Sequence, residues 1–372
     1  MGSGIYIHVP FCVSKCSYCD FYSITGSVQQ RNRFIQSLLR EIDLKTKDIW
    51  LQHTFDTIYF GGGTPSILKP EQINHIVQHL KNNYRIQPDC EITVEANPET
   101  VNIEYFEKLA DGSVNRISLG IQSFEDSELK TLGRAHTVQT GLEAVKAMRE
   151  SGYDNFNIDL IFGIPGQSID SWCRTLNMAI KQNPAHISAY GLTVEKGTPL
   201  EKLIQSGKLK IIEEQIQLDM YKILIKELTQ NGYGRYEISN FAKPAKESRH
   251  NLKYWRNDAY IGFGPSAHSY NGQNRWANVY DLELYCDMLE RGQIPTGYEE
   301  QLSDAQKAME RLMMGIRLAD GVSLSEVIST IDESSLVHMA DNGFVEISAG
   351  KLIITEKGLP LSDKIIAQLI KL

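Results

Sequence analysis

The sequence predicts an α/β protein, a partial (β/α)6 TIM-like barrel carrying a small C-terminal winged-helix-like domain. Three observations support this expectation. Strand-like apolar runs alternate with helix-period stretches about six times over the first half of the chain, the pattern of parallel strands joined by crossover helices. Polar residues collect within or just past the ends of successive strands, where barrel proteins place their sites. From about residue 300 the pattern changes to short helices followed by a hairpin.

In order, the strand runs fall at 4–9, 56–60, 91–95, 115–121, 156–162 and 186–192. Helical periods lie between them at 30–45, 71–83, 101–110, 138–150 and 169–182. Near residue 195 the alternation stops. A long amphipathic helix over 211–230 leads into a glycine- and aromatic-rich region that runs to about 280. Helices are then expected at 304–318, 323–330 and 334–342, followed by paired strands at 344–347 and 352–354. These divisions give a barrel over 1–230, a connecting region over 231–300 and a winged-helix-like domain over 301–372. Many winged helices bind DNA, but nothing in this one is strongly basic, so a structural or partner role is expected.

The chain has 372 residues, 42% of them hydrophobic and 23% charged, with a net charge of −8 that argues against general nucleic-acid binding. No apolar run reaches the roughly 18 residues of a membrane span, and the N-terminus lacks a basic-then-apolar leader. A cytoplasmic location is expected. Six cysteines are too few for a disulfide scaffold in a chain of this length, and three of them cluster. Cys173 and Cys286 are expected to be buried thiols.

The cluster is Cys12, Cys16 and Cys19, spaced CX3CX2C directly after the first strand. Such a loop can wrap three thiolates around one object. A structural zinc ion would want a fourth protein ligand, for which His8 or Cys90 are the candidates. An iron–sulfur cluster held by three cysteines instead leaves one iron free for a small molecule. That free iron is what chelation of the amino and carboxylate groups of S-adenosylmethionine (SAM) requires.

The spacing, with Tyr18 just before the last cysteine, is the signature of the radical SAM superfamily, which the chain resembles. Further residues fit it. Gly61–Thr64 follow the second strand, and Gly62, Gly63 and Thr64 would bring backbone close to the ammonium of SAM. Glu95 would put a carboxylate near the same ammonium, while Gln122 and Asp159 suit ribose hydroxyls. Arg134 could pair with the SAM carboxylate. Tyr6 and Tyr18 complete the expected SAM set.

Within the superfamily, the chain resembles the coproporphyrinogen III oxidase-like branch. The matching segments are Tyr6–Cys12, the triple glycine, Arg116–Phe124, Leu132–His136 and Asp159–Gly166. The resemblance runs from residue 4 to near the C-terminus. The oxygen-independent oxidases, which decarboxylate two propionates of coproporphyrinogen III, carry a fourth cysteine where this chain has Phe21, and an N-terminal extension that this sequence does not show. The chain is more similar to HemW-type heme chaperones, whose hallmark His-Asn-X-X-Tyr-Trp stands complete at His250–Trp255. That resemblance implies a 4Fe-4S cluster on Cys12, Cys16 and Cys19, SAM, and heme bound through His250, Tyr254 and Trp255. A neutral imidazole can ligate heme iron, and the aromatic pair offers flat apolar area. Lys253, Arg249 and Arg256 could meet the propionates. The resemblance further implies delivery of heme to apo-hemoproteins such as respiratory cytochromes, contact with the membrane surface and a homodimer. Oxygen-independent coproporphyrinogen III oxidation is the alternative activity.

Overall fold

The computed structural model describes residues 2–46 and 49–371. Strands β1 (Ser3–Val9), β2 (Thr54–Gly62), β3 (Arg85–Ala96), β4 (Arg116–Gln122), β5 (Phe156–Phe162) and β6 (His186–Gly191) pair in that order, all parallel. Helices α1 (Val28–Lys45), α2 (Pro70–Asn83), α3 (Ile103–Ala110), α4 (Asp126–Leu132), α5 (Val138–Glu150) and α6 (Ile169–Lys181) make the crossovers. Each strand sends Ile, Leu, Val or Phe outward against these helices. Ile5, Ile58, Val94, Leu119, Ile158 and Ile187 are all fully or almost fully buried there. Helix starts are set locally. Ser27 and Gln30 form a reciprocal capping box at α1, and Ser168 caps α6.

The six strands form a partial barrel. Among the described residues no pairing closes the sheet on itself; further strands extend both edges. After α7 (Pro199–Gln205) and α8 (Glu214–Gln230), the short β7 (Gly234–Arg235) and β8 (Asn240–Ala242) add to β6 in antiparallel fashion. Helix α9 (Arg249–Trp255) packs against β1 and β2. Next, β9 (Tyr260–Phe263) pairs parallel to β1, and β10 (His268–Tyr270), β11 (Asn274–Asn278) and, beyond helix α10 (Leu282–Glu290), β12 (Thr296–Gln301) continue that edge antiparallel. The strands between residues 234 and 301 are therefore part of the same sheet.

A buried ion pair fastens the added edge. Glu41 and Lys45 of α1 meet at 2.6 Å, and Glu41 also accepts from Tyr285, Asn278 and the amide of Gly264. Burying two charges is tolerable because every lone pair finds a donor.

The C-terminal unit holds α11 (Asp304–Gly315), β13 (Val322–Ser323), α12 (Leu324–Val327), α13 (Glu333–Asp341), β14 (Val345–Ser348), β15 (Lys351–Ile354) and α14 (Ser362–Leu369). Its three strands pair in the order β13-β15-β14, the wing of a winged-helix-like arrangement. No helix among the described residues is long and apolar enough to cross a membrane.

Two expectations need correction. Cys286 is buried, but Cys173 on α6 is only half-buried. The helix expected at 211–230 begins at Glu214, and the short helices α4, α7, α9 and α10 fall outside the expected helical stretches, their helicity depending on tertiary packing.

Candidate functional site

A parallel strand covered on both faces usually reads as a continuous apolar run. Here most alternate residues of β4, β5 and β6 are polar, and the alternation points that set inward. Arg116, Ser118 and Gln122 on β4, Asn157 and Asp159 on β5, and His186 and Ser188 on β6 line one cavity of about 640 Å³. Tyr6, Tyr59 and Glu95 line it from β1, β2 and β3.

The three cysteines stand at the rim of this cavity, all as free, half-buried thiols. Their loop is pinned by backbone. The Cys12 amide donates to Ile24, Ser17 donates to Leu132, and Leu200 donates to Ser17. Phe11, fully buried edge-on against Phe34, anchors the loop's first turn. Two donors reach the sulfurs: Thr64 Oγ1 lies 3.4 Å from Cys12 Sγ, and Arg134 Nη1 lies 3.5 Å from Cys16 Sγ. Burial raises the Cys19 thiol above its usual range, against a backbone hydrogen bond from Phe21 that favours the thiolate. Among the described residues, no three His, Cys, Asp or Glu side chains converge as around a single metal ion.

The triple glycine serves this loop directly. The amides of Gly63 and Thr64 donate to Val9 and Phe11, so the exit of β2 lies against the entry to the cysteines. A Cβ at Gly63 would stand 2.6 Å from the Phe11 carbonyl oxygen. Gly62 has φ +105°, and a Cβ there would meet the His8 ring at 2.5 Å. His8 itself is buried and hydrogen-bonded to the Tyr22 carbonyl and the Tyr6 hydroxyl.

Glu95 and Asp159 sit one layer below the rim. Glu95 accepts from the Tyr59 hydroxyl at 2.7 Å, and burial pushes its carboxyl up to about 7. Asp159 accepts from Ser118 and Asn157, and burial likewise raises it. Gln122 ends β4 in the left-handed region at φ 67°, where the register with β5 shifts, and this aims its side chain into the cavity. Arg134 follows the left-handed Gly133 that stops α4; its Nη2 donates to Asn97 and the Gly120 carbonyl. Tyr18 lines the cavity beside it.

The His250–Trp255 segment is helix α9, and it forms the cavity's inner wall. Ser248 caps it, and the amides of Arg249 and His250 donate to Glu91. His250 is 1% exposed. Its Nδ1 hydrogen-bonds Thr57 at 2.8 Å and its Nε2 hydrogen-bonds Tyr254 at 2.9 Å. The ring stacks on Tyr59, with centroids 5.1 Å apart. Burial, helped by Lys253 and Arg116, pushes the imidazole down to about 3, so it is neutral. Trp255 is half-buried outside the cavity, its indole N–H unpartnered. Lys253 is buried against Asp56 at 2.6 Å, and Arg249 also pairs with Asp56; neither extends freely as a propionate partner would.

The Radical SAM superfamily profile matches residues 6–179 and the HemN C-terminal domain profile matches residues 302–361. The heme chaperone HemW of Mycobacterium tuberculosis is 33% identical over 371 residues, covering 99% of this chain and 94% of that protein. HemW of Bacillus subtilis is also 33% identical, covering 97% of each. The chain belongs to the HemW family of radical SAM proteins. The coproporphyrinogen III oxidase HemN of Escherichia coli superposes with a TM-score of 0.85 at 22% identity, covering 99% of this chain and 90% of that one, a likeness of fold.

Radical SAM membership implies a 4Fe-4S cluster and SAM. The donor set of this HemW-family chain suits them: three free thiols at one rim, two of them met by hydrogen-bond donors that favour thiolate. The sequence reasoning fastened on strand ends and passed over the inner layers. Arg116, Asn157, His186 and Tyr236 were missed. For Arg116, Asn157 and His186 the signal is the polar alternation of Arg116–Gln122, Phe156–Phe162 and His186–Gly191, which an ordinary parallel strand does not show; Tyr236 lies outside these strands.

Proposed function

We propose that this chain is a heme chaperone, binding heme and passing it to apo-hemoproteins in the cytoplasm. The likeness to heme chaperones over 99% of the chain carries this reading. Cys12, Cys16 and Cys19 would hold three irons of a 4Fe-4S cluster, leaving the fourth to SAM. When bound, that pair supplies a site for one-electron reduction of the sulfonium. Around it, this chain's residues have separate tasks. Thr64 and Arg134 stabilise thiolate at Cys12 and Cys16. Gly62 and Gly63 let β2 close on the cysteine loop. Glu95 faces the ammonium, Gln122 and Asp159 the ribose, and Tyr6 and Tyr18 pack the walls.

Heme is the cargo, with His250 as its axial ligand and Tyr254 and Trp255 beside the macrocycle. For Nε2 to reach iron, the Tyr254 hydroxyl must first let go of it, so heme loading on this reading requires α9 to shift. The recipients are apo-hemoproteins such as respiratory cytochromes, reached at the membrane surface by a homodimer. The winged-helix-like unit over 301–372 is proposed as a partner-facing module.

The test is a heme titration of anaerobically reconstituted protein. Stoichiometric binding that His250→Ala removes, with circular dichroism unchanged, supports the reading. Unaltered heme binding by that variant would discard His250 as the ligand. Anaerobic turnover of coproporphyrinogen III with SAM and a reductant would replace the chaperone assignment with the oxidase one.

A further inference from the structure

The inner end of the barrel cavity contains a cation that the roles above leave unused. Arg116 opens β4 and pairs with Thr93, one inward position below the Ser118–Glu95 pair. It is 2% exposed and lines the cavity. Its Nε is wholly buried without a hydrogen-bond partner among the described residues. The carboxylates of Glu95 and Asp159 feel its charge without a direct ion pair, Glu95 being hydrogen-bonded to Tyr59 and Asp159 to Ser118 and Asn157.

A second unpaired group lies beside it. Thr93 pairs in register with Arg116 across β3 and β4, so both face inward, and the Thr93 hydroxyl is buried with no partner. The same row continues through Tyr59 to Tyr6. A buried hydroxyl without a partner is costly, and a buried cation more so. Arg116 lines the cavity and Thr93 does not, so the guanidinium is the group of this row that faces a ligand.

We infer that the inner end of the barrel is a subsite for the carboxylate of a small molecule, held by the Arg116 guanidinium below the residues assigned to SAM. A guanidinium fork matches the two oxygens of a carboxylate. A monoanion suits the local charge better than a phosphate dianion, because Glu95 and Asp159 already share this cavity and would repel added negative charge. His186, Tyr236 and Asn251 complete polar walls around the same end. His186 hydrogen-bonds Tyr236 at 2.8 Å, and Asn251 donates to Tyr236.

Propionate and its neutral isostere propionamide are the probes, followed by saturation-transfer NMR on the cluster-loaded full chain with and without SAM. Saturable binding of propionate over propionamide, retained in the presence of SAM and weakened at least about tenfold in Arg116→Gln, is the expected result. Arg116→Lys keeps the charge and should retain part of the preference, which guards against a folding defect in the glutamine variant. Equal binding of acid and amide, displacement of propionate by SAM, or no effect of either Arg116 variant would overturn the assignment.

Discussion

The Tyr254 hydroxyl hydrogen-bonds Nε2 of His250 at 2.9 Å, one helical turn away on the same helix. With Thr57 on Nδ1, both imidazole nitrogens are satisfied inside the protein, and the ring is neutral. An iron ligand at His250 therefore competes with a hydrogen bond already made.

That competition gives the first prediction. Tyr254→Phe frees Nε2 while keeping the ring against Tyr260, its edge-on neighbour at 4.8 Å. Removing a competing bond of ~1 kcal/mol should tighten heme by about fivefold. Heme titration followed by the Soret band checks it; a loss of affinity would mean that the hydroxyl itself contacts heme.

The Arg134 guanidinium bridges Cys16, Asn97 and Gly120. Arg134→Ala should leave a cluster that forms but is lost faster on exposure to chelator, whereas Cys16→Ser should abolish it. Iron content and absorbance near about 400 nm, expected for such clusters, separate the two. Equal iron retention in Arg134→Ala and the wild type would show that Arg134 does not hold the loop.

Gly63→Ala places a methyl group 2.6 Å from the Phe11 carbonyl, backbone that cannot move without opening the cysteine loop. Overpacking of this kind costs ~1–3 kcal/mol, so the melting temperature should fall and cluster loading with it. Gly152→Ala, with open space around its Cβ position but φ +85°, tests backbone strain alone and should spare the cluster.

Stability should decline as pH falls from about 6.5 toward 4. His250 is held at about 3, His8 at about 4, and His186 well below its usual value, each chiefly by burial. The unfolded chain takes up protons at these sites near pH 6.5, the folded chain does not, and each contributes a slope of up to ~1.4 kcal/mol per pH unit in that window. Glu95, raised to about 7, works the other way, since its folded form binds a proton first. Denaturant unfolding at a series of pH values should show the net fall, and Glu95→Gln should steepen it. A flat profile would mean that the histidines protonate in place.

Much of the site was legible because its chemistry is written locally. Cys12, Cys16 and Cys19 lie on one short loop, so their spacing alone brings the thiols together. Tyr6, Tyr18, Gly62, Gly63, Thr64, Glu95, Gln122, Arg134 and Asp159 all reach the cavity, most of them from a strand or a strand end, Tyr18 from the cysteine loop and Arg134 from the turn after α4. The roles of two of them read differently in three dimensions. Gly63 is required by the Phe11 backbone, and Arg134 is already committed to Cys16 and Asn97.

What the sequence determined by itself was the order of parallel strands, the three-thiol loop and the family, because periodicity and short motifs act over a few residues. Only the tertiary structure decided that His250, 193 residues from Thr57, closes the inner wall of the cavity whose rim carries the cysteines. It also decided that Trp255, though adjacent to the motif's Tyr254, lies outside that cavity, and that Arg116 stands inside it with its Nε unpartnered among the described residues. A periodic pattern says which face of an element is turned inward. Which faces then meet, and which polar groups are satisfied when they do, depends on packing between segments far apart in the chain.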